Sequence, residues 1–187
     1  MDMDNNMDKK IAFEYFLFEL MNWNIEAKRL TSFDERNDLS ILKSLKLLFF
    51  TVAIDSKNPE SLLENTFDNF HAMPLGHVEL DIYNQYKNLD SFSLDRSSLQ
   101  MKNKSWEDIT TYFHSTFIDK KSNIKKAVTH LKQVKSSLIL ESAFDLVELS
   151  HTWNSWISTF NSSHSKRSYI HHDLIRNDFQ NFEIQSF

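Results

Sequence analysis

The chain of 187 residues has no cysteine, one glycine and two prolines. The lack of cysteine excludes a disulfide framework, a thiolate nucleophile and cysteine-based zinc or iron–sulfur sites, and it fits a reducing cytoplasm. A single glycine cannot build a phosphate-binding loop or a Gly-x-Ser-x-Gly nucleophile elbow, since each needs several. It also argues against extended β architectures joined by tight hairpins, whose turns usually call for glycine. Long apolar runs are missing too. The longest, Leu45 to Ile54, is interrupted by Lys46 and Thr51 and falls far short of the ~20 residues of a membrane span. No membrane partner is expected. The start, Met1-Asp2-Met3-Asp4, is acidic and lacks the basic region of a signal peptide.

Aromatic residues are abundant: sixteen Phe, five Tyr and four Trp point to an aromatic-rich core. Apolar and charged fractions of 41% and 25% are those of a globular protein, and a chain of this size buries roughly 70% of its unfolded surface without staples. A net charge of −5 argues against a broad nucleic-acid surface. The reading is a mainly α, single compact helical domain over residues 10–180, preceded by a disordered acidic lead (1–9) and followed by a tail (181–187).

Along the chain, Ile11, Phe13, Phe16, Leu20 and Trp23 with their apolar neighbours cover more than one helical stripe, which predicts a helix buried on two sides. Ile41, Leu45, Leu48 and Val52 step at helical spacing and predict a central helix over 39–53, with an N-cap at Asn37-Asp38. Asn58-Pro59-Glu60 has the form of a helix start. Residues 67–75 read as a loop holding Pro74, and Gly76 follows. Val78, Ile82, Tyr86 and Leu89 then predict a helix over 77–89, with Tyr83 beside the stripe. Gly76 would supply a positive φ or a close backbone approach. Phe92 and Leu94 alternate weakly, leaving one short β element near residues 90–100 open, though a loop is favoured. Ser105-Trp106-Glu107-Asp108 and Ser142-Ala143-Phe144-Asp145 have capping-box form. The helix behind the first carries Trp106, Ile109, Tyr112, Phe113 and Phe117 on one face. The next is capped at Asn123 with Ile124, Val128, Leu131 and Val134 inward. Residues 161–168 are serine-rich and expected to be mobile, and residues 170–187 read as a short final helix carrying Leu174, Ile175 and Phe179 with a loose tail.

Catalytic and metal chemistry find little support. His71 and His77 are six apart, and His171-His172-Asp173 are adjacent, so none has the i, i+4 spacing of helical metal sites. No metal, cofactor or enzymatic activity is expected. Lys120, Lys121, Lys125, Lys126, Lys132 and Lys135 form a basic stretch that could meet phosphates, but a solvated helix face is the simpler account.

Three segments carry a family resemblance: Ser44-Leu45-Lys46-Leu47-Leu48-Phe49-Phe50, then Phe70-His71-Ala72-Met73-Pro74-Leu75-Gly76-His77-Val78-Glu79, then Leu149-Ser150-His151 with Trp156. In this order they resemble the Panacea domain of SocA-like antitoxins. Members pair a Lys-Leu-Leu-Tyr/Phe-Phe helix with an aromatic-x-Ala-x-Pro-Tyr/Leu-Gly-Pro-Val segment and a Leu-Ser/Thr-His-(x)4-Trp element. The residues carried over are Lys46, Leu47, Leu48, Phe49, Phe50, Met73, Pro74, Gly76, Val78, Tyr83, His151 and Trp156. Two positions depart: Leu75 stands where an aromatic is common, and His77 where the family has proline. The resemblance implies a bacterial or phage antitoxin that binds a cognate toxin protein directly, without catalysis. A DNA-binding regulator of its own operon and a non-catalytic adaptor are the alternatives. Oligomeric state is left open. His151 and Trp156 are expected to fix the core rather than touch the partner.

Overall fold

The computed structural model describes residues 2–33, 36–118, 120–163 and 165–183, with side chains from Asp8 onward. Two helices make the centre of a mainly α domain. The first, α1 (Asp2–Lys28), buries Phe13, Phe16, Leu17, Leu20 and Met21 completely and Tyr15, Phe18 and Trp23 almost so. This is the two-sided burial that its apolar pattern predicts. The helix begins at Asp2, so the lead expected to be disordered continues its backbone. Lys9 and Lys10 hold this end to the body through ion pairs with Asp68, Glu79, Asp81 and Asp90. The second helix, α2 (Ile41–Ile54), is almost wholly buried. Its cap is Ser40, whose Oγ accepts the Lys43 N–H at 3.2 Å. Asn37, expected near the cap, instead accepts the N–H groups of Leu39 and Leu99.

Asn58 accepts the Glu60 N–H and closes a turn, the local hydrogen bond that Asn makes in competition with a helix start. The short α3 (Leu62–Asn65) follows, with Ser61 at its N-cap position. The largest correction comes next. Residues 70–79 are neither loop nor helix start but a β-hairpin, β1 (Phe70–Met73) and β2 (Gly76–Glu79), joined by Pro74-Leu75 and paired from Phe70↔Glu79 to Met73↔Gly76. The helix expected from residue 77 begins three residues later as α4 (Leu80–Gln85), capped by Glu79, and ends in a 3-10 turn over Tyr86–Asn88. Two strands of four residues are too short for alternation to outweigh a helical stripe.

The β element near residues 90–100 is a second hairpin, β3 (Phe92–Leu94) with β4 (Leu99–Met101), rather than the favoured loop. Both capping boxes form, at Ser105/Asp108 before α5 (Trp106–Ser115) and at Ser142/Asp145 before α7 (Ala143–His151). Between them lies α6 (Lys121–Val134), entered through Lys120 at φ 59° rather than capped by Asn123, which donates to the Glu60 carbonyl. Phe117, assigned to the inner face of α5, lies past its end and is 91% exposed; Val134 is also exposed. Then come α8 (Asn154–Ser162), the two-residue β5 (Ser168–Tyr169) and α9 (His172–Arg176). The stretch expected to be mobile begins in the last turn of α8, at 161–162, and ends in β5, with a bend over 165–167 between them. β5 pairs antiparallel with β1, giving the sheet order β2-β1-β5.

Residues 177–183 are a strap rather than a loose end. Asp178 accepts the Asn154 and Ser155 N–H groups and so caps α8 from a distance. Gln180 donates to the last carbonyls of α2, at Ala53 and Ile54. Phe182 is buried against Phe50 and Trp153. The rest of the expected tail, 184–187, lies outside the described residues. Among the described residues, no helix is long and apolar enough to cross a membrane.

Candidate functional site

The hairpin tip is where the three motif segments meet. Gly76 has φ 90°, and a Cβ placed on it would lie 2.4 Å from the Ser150 Oγ and 3.0 Å from the Lys46 Nζ. Only glycine leaves room for α7 and α2 to close on the turn at that backbone angle. Lys46, an interruption in the apolar face of α2, donates to the His77 carbonyl at 2.5 Å. The His77 ring stacks on Phe49 with centroids 3.6 Å apart and planes 10° from parallel. Its Nδ1 lies 2.9 Å from the Ser150 Oγ and its Nε2 2.9 Å from the Ser155 Oγ, while the Ser150 Oγ also accepts the His77 backbone N–H. Two hydroxyls, each able to donate or accept, satisfy the neutral ring in either tautomer.

Lys46, His77, Ser150 and Ser155 are all fully buried. The group brings together an amine, an imidazole and hydroxyls, but a nucleophile must be reached by its substrate, and none of these four touches solvent. What it does is join β2, α2, α7 and α8. Burial pushes the Lys46 amine down to about 7. Burial, then the Lys46 charge and His151, hold His77 well below the usual imidazole range.

Above this buried lock lies a partly exposed layer. His151 stacks on Trp156 (4.0 Å, 25°) and Trp156 on Phe160 (4.7 Å, 14°). The Trp156 Nε1–H donates to the Met73 carbonyl at 2.9 Å, pinning the ring stack to the hairpin. Burial lowers the His151 pKa; Glu148 opposes this, the Lys46 charge adds to it, and the Pro74 carbonyl opposes it. Pro74 and Leu75 at the tip are exposed.

At the other end of the hairpin, Asp68, Glu79 and Asp81 bring carboxylate oxygens within 4.8 Å of one another, a set able to hold a cation. The Lys9 ammonium sits among them, 2.6, 3.0 and 2.7 Å from the three, and so supplies the positive charge from the chain itself.

Of the motif residues, Lys46, Phe49, Met73, Gly76, His151 and Trp156 converge on the tip, with Pro74 in its turn. Leu47, Leu48 and Phe50 fill the core, and Val78 is buried on β2. Tyr83 lies elsewhere, 43% exposed on α4 beside Tyr86. Ser155 and the role of His77 were missed by sequence reasoning. The available signal was His77 itself: an imidazole between Gly76 and Val78, if buried, needs polar partners. The basic stretch does not form one free surface. Lys121 donates to the Phe113 and His114 carbonyls, Lys132 pairs with Glu26, and Lys135 pairs with Glu183. Lys125 and Lys126 are exposed on α6. Lys120, Lys121, Lys125 and Lys132 line a cleft of about 1120 Å³ beside α1, but Glu19, Glu26 and Glu60 line it too.

Compared with protein-family models, with curated proteins and with solved structures, the chain matches none.

The lock makes a testable prediction about pH. Lys46 is depressed in the folded state to about 7 from 10.5. The unfolded chain therefore binds more protons between those values, and stability rises with pH across that window. Lys46→Met should flatten this rise in urea midpoints taken from pH 6.5 to 9.5. Lys46→Met also removes the donor of the buried His77 carbonyl, a loss of roughly 1–3 kcal/mol at the alkaline end, and that loss should shrink at the acid end, where the wild type carries a desolvated charge. Parallel profiles for variant and wild type would show that Lys46 does not titrate there.

Proposed function

We propose that this chain is an antitoxin-type interaction protein that neutralises a small cognate toxin by direct contact and carries out no catalysis itself. One observation carries the reading. The three segments that resemble the Panacea domain, far apart in sequence, come together at the hairpin tip through Lys46–His77, His77–Ser150 and Trp156–Met73 contacts. Over the buried lock they present a partly exposed His151–Trp156–Phe160 stack beside the exposed Leu75. Aromatic anchors held rigid by hydrogen bonds are what protein interfaces use. The expectation for His151 and Trp156 is thereby widened, since both brace the tip and both reach its surface. The net charge of −5 suits a basic toxin, whose approach it would steer.

A DNA-binding role has less to rest on, because Lys121, Lys132 and Lys135 are engaged within the chain. The test is co-expression with the product of a small neighbouring reading frame. That product should arrest growth alone and be tolerated with this chain, and Leu75→Asp at the tip should weaken the rescue. A harmless neighbour, or toxicity that persists in the presence of this chain, would sink the proposal.

A further inference from the structure

Adjoining the tip is a helix face that none of the described residues covers. On α7, Leu146, Val147, Leu149 and Ser150 point inward and are buried. Phe144, Glu148 and His151 are spaced i, i+4, i+7 and therefore share the opposite face. Phe144, in the first turn of the helix, is 69% exposed, and Leu140 just before it is 47% exposed. The face runs into the His151–Trp156–Phe160 stack, and Ile157 beside it on α8 is also exposed. Helix rise and ring spacings together give this ridge a length of up to roughly 20 Å, the span of a helix of three to four turns. An exposed Phe next to stacked rings is the arrangement of anchors that an amphipathic helix fills.

Charge narrows the occupant. Asp145 and Glu148 flank Phe144 on the outer side of α7 and are exposed. Among the described residues, the Asp145 carboxylate hydrogen-bonds within the capping box alone. Glu148 has His151 as its ion-pair neighbour, at 3.9 Å, and burial lowers the pKa of that imidazole. Glu141, just upstream, acts on the buried Lys43. Lys43 and Lys46 are buried beneath α7, and the exposed Lys166 and Arg167 come only after α8 ends at Ser162.

We propose that the outer face of α7, continued by the His151–Trp156–Phe160 stack, is the docking surface for an amphipathic helix of a partner protein, apolar on one face and flanked by Lys or Arg where it meets Asp145 and Glu148. This rests on the interaction-protein reading and names the chemistry of the partner's contact.

The test uses the full chain and a fluorescein-labelled synthetic helical peptide of about 18 residues, with Leu and Trp along one face and Lys and Arg flanking it. A control peptide has Glu at the basic positions. The basic peptide should bind, and its affinity should fall with added salt. Phe144→Ser and Glu148→Lys should each weaken it about tenfold or more, and Glu148→Lys should improve binding of the acidic peptide, a reversal expected of complementary charge. Both substitutions are at exposed positions, so thermal melting checks that the fold is kept. Equal binding of the two peptides, indifference to both substitutions, or no binding of the basic peptide would overturn the proposal. So would a dimer, seen by light scattering without peptide, that Phe144→Ser dissociates, because a second copy would then be the occupant. If charge reversal holds while co-expression fails, the toxin reading falls and the docking face stands. The opposite result places toxin contact elsewhere.

Discussion

Lys9→Ala should destabilise the protein by roughly 3–5 kcal/mol, the cost of removing one partner from a buried ion pair and leaving the other charge behind. For a domain of this size that is a fall in Tm of roughly 6–20 °C. The effect is large because of where Glu79 stands. Its side chain is fully buried, with Oε1 on Lys9 and Oε2 accepting the Ile82 N–H at 2.8 Å, so it also caps α4. Burial pushes the Glu79 carboxyl up, and the Lys9 charge and the Ile82 N–H only partly offset this. For Lys9 the balance tips the other way. Burial lowers its pKa, but the Glu79 charge and the bonds to Asp68 and Asp81 outweigh that, and the net shift is upward. A folded-state pKa above the unfolded value means that Lys9's share of stability is present below pH 10.5 and is lost only above it. At neutral pH the whole effect should be visible by chemical denaturation. The double variant Lys9→Met/Glu79→Gln removes both charges and should recover much of the loss. A single variant as stable as wild type, or a double variant no better than the single, would show that the pair is not coupled to the fold as the distances indicate.

Gly76→Ala should be nearly as damaging, for steric rather than electrostatic reasons. A left-handed backbone costs a residue with a Cβ about 1–2 kcal/mol, and forcing extra volume into a packed site adds about 1–3. Here the added atom would meet the Ser150 Oγ at 2.4 Å and the Ser150 Cβ and Lys46 Nζ at 3.0 Å. None of these can retreat freely, since Ser150 holds the His77 ring and Lys46 holds its carbonyl. Adding Ser150→Gly should relieve the overlap but not the backbone strain, so the double variant should regain only part of the stability. Gly76→Ala within about 0.5 kcal/mol of wild type, the range of ordinary surface substitutions, would contradict this account of the tip.

How much of this was legible depended on the range of the interactions. The two central helices were, because Phe13, Phe16, Leu20 in α1 and Ile41, Leu45, Leu48 in α2 repeat at the helical period. The capping boxes were, because Ser105/Asp108 and Ser142/Asp145 are local in sequence. The lone glycine marked the corner for the right reasons, but its neighbours misled. Val78 and Ile82 fit a helical stripe although Val78 is in a strand paired with His71, because four-residue strands show too little alternation; no local pattern announces the further pairing of β1 with β5, nearly a hundred residues on. Lys9 was invisible as an anchor for the same reason. It reads as the end of a polar lead until Asp68, Glu79 and Asp81 are brought to it. Phe117 failed in the other direction, counted inward by spacing although α5 stops at Ser115.

The strap over residues 177–183 has a consequence in time. His77 needs the Ser155 hydroxyl, α8 takes its cap from Asp178, and Trp153 donates to the Asn181 carbonyl. A ribosome adds residues at about 5–20 per second and reaches these long after the hairpin. The hairpin and its glycine emerge about a hundred residues before the strap, so for roughly 5–20 seconds the tip waits for its full set of partners. During that interval Phe49 and the hairpin edge cannot be covered in the native way, which is when such surfaces aggregate or attract chaperones. The binding face proposed for this protein is therefore completed well after the hairpin it adjoins, and a nascent chain stalled before Asp178 would not yet carry it in finished form.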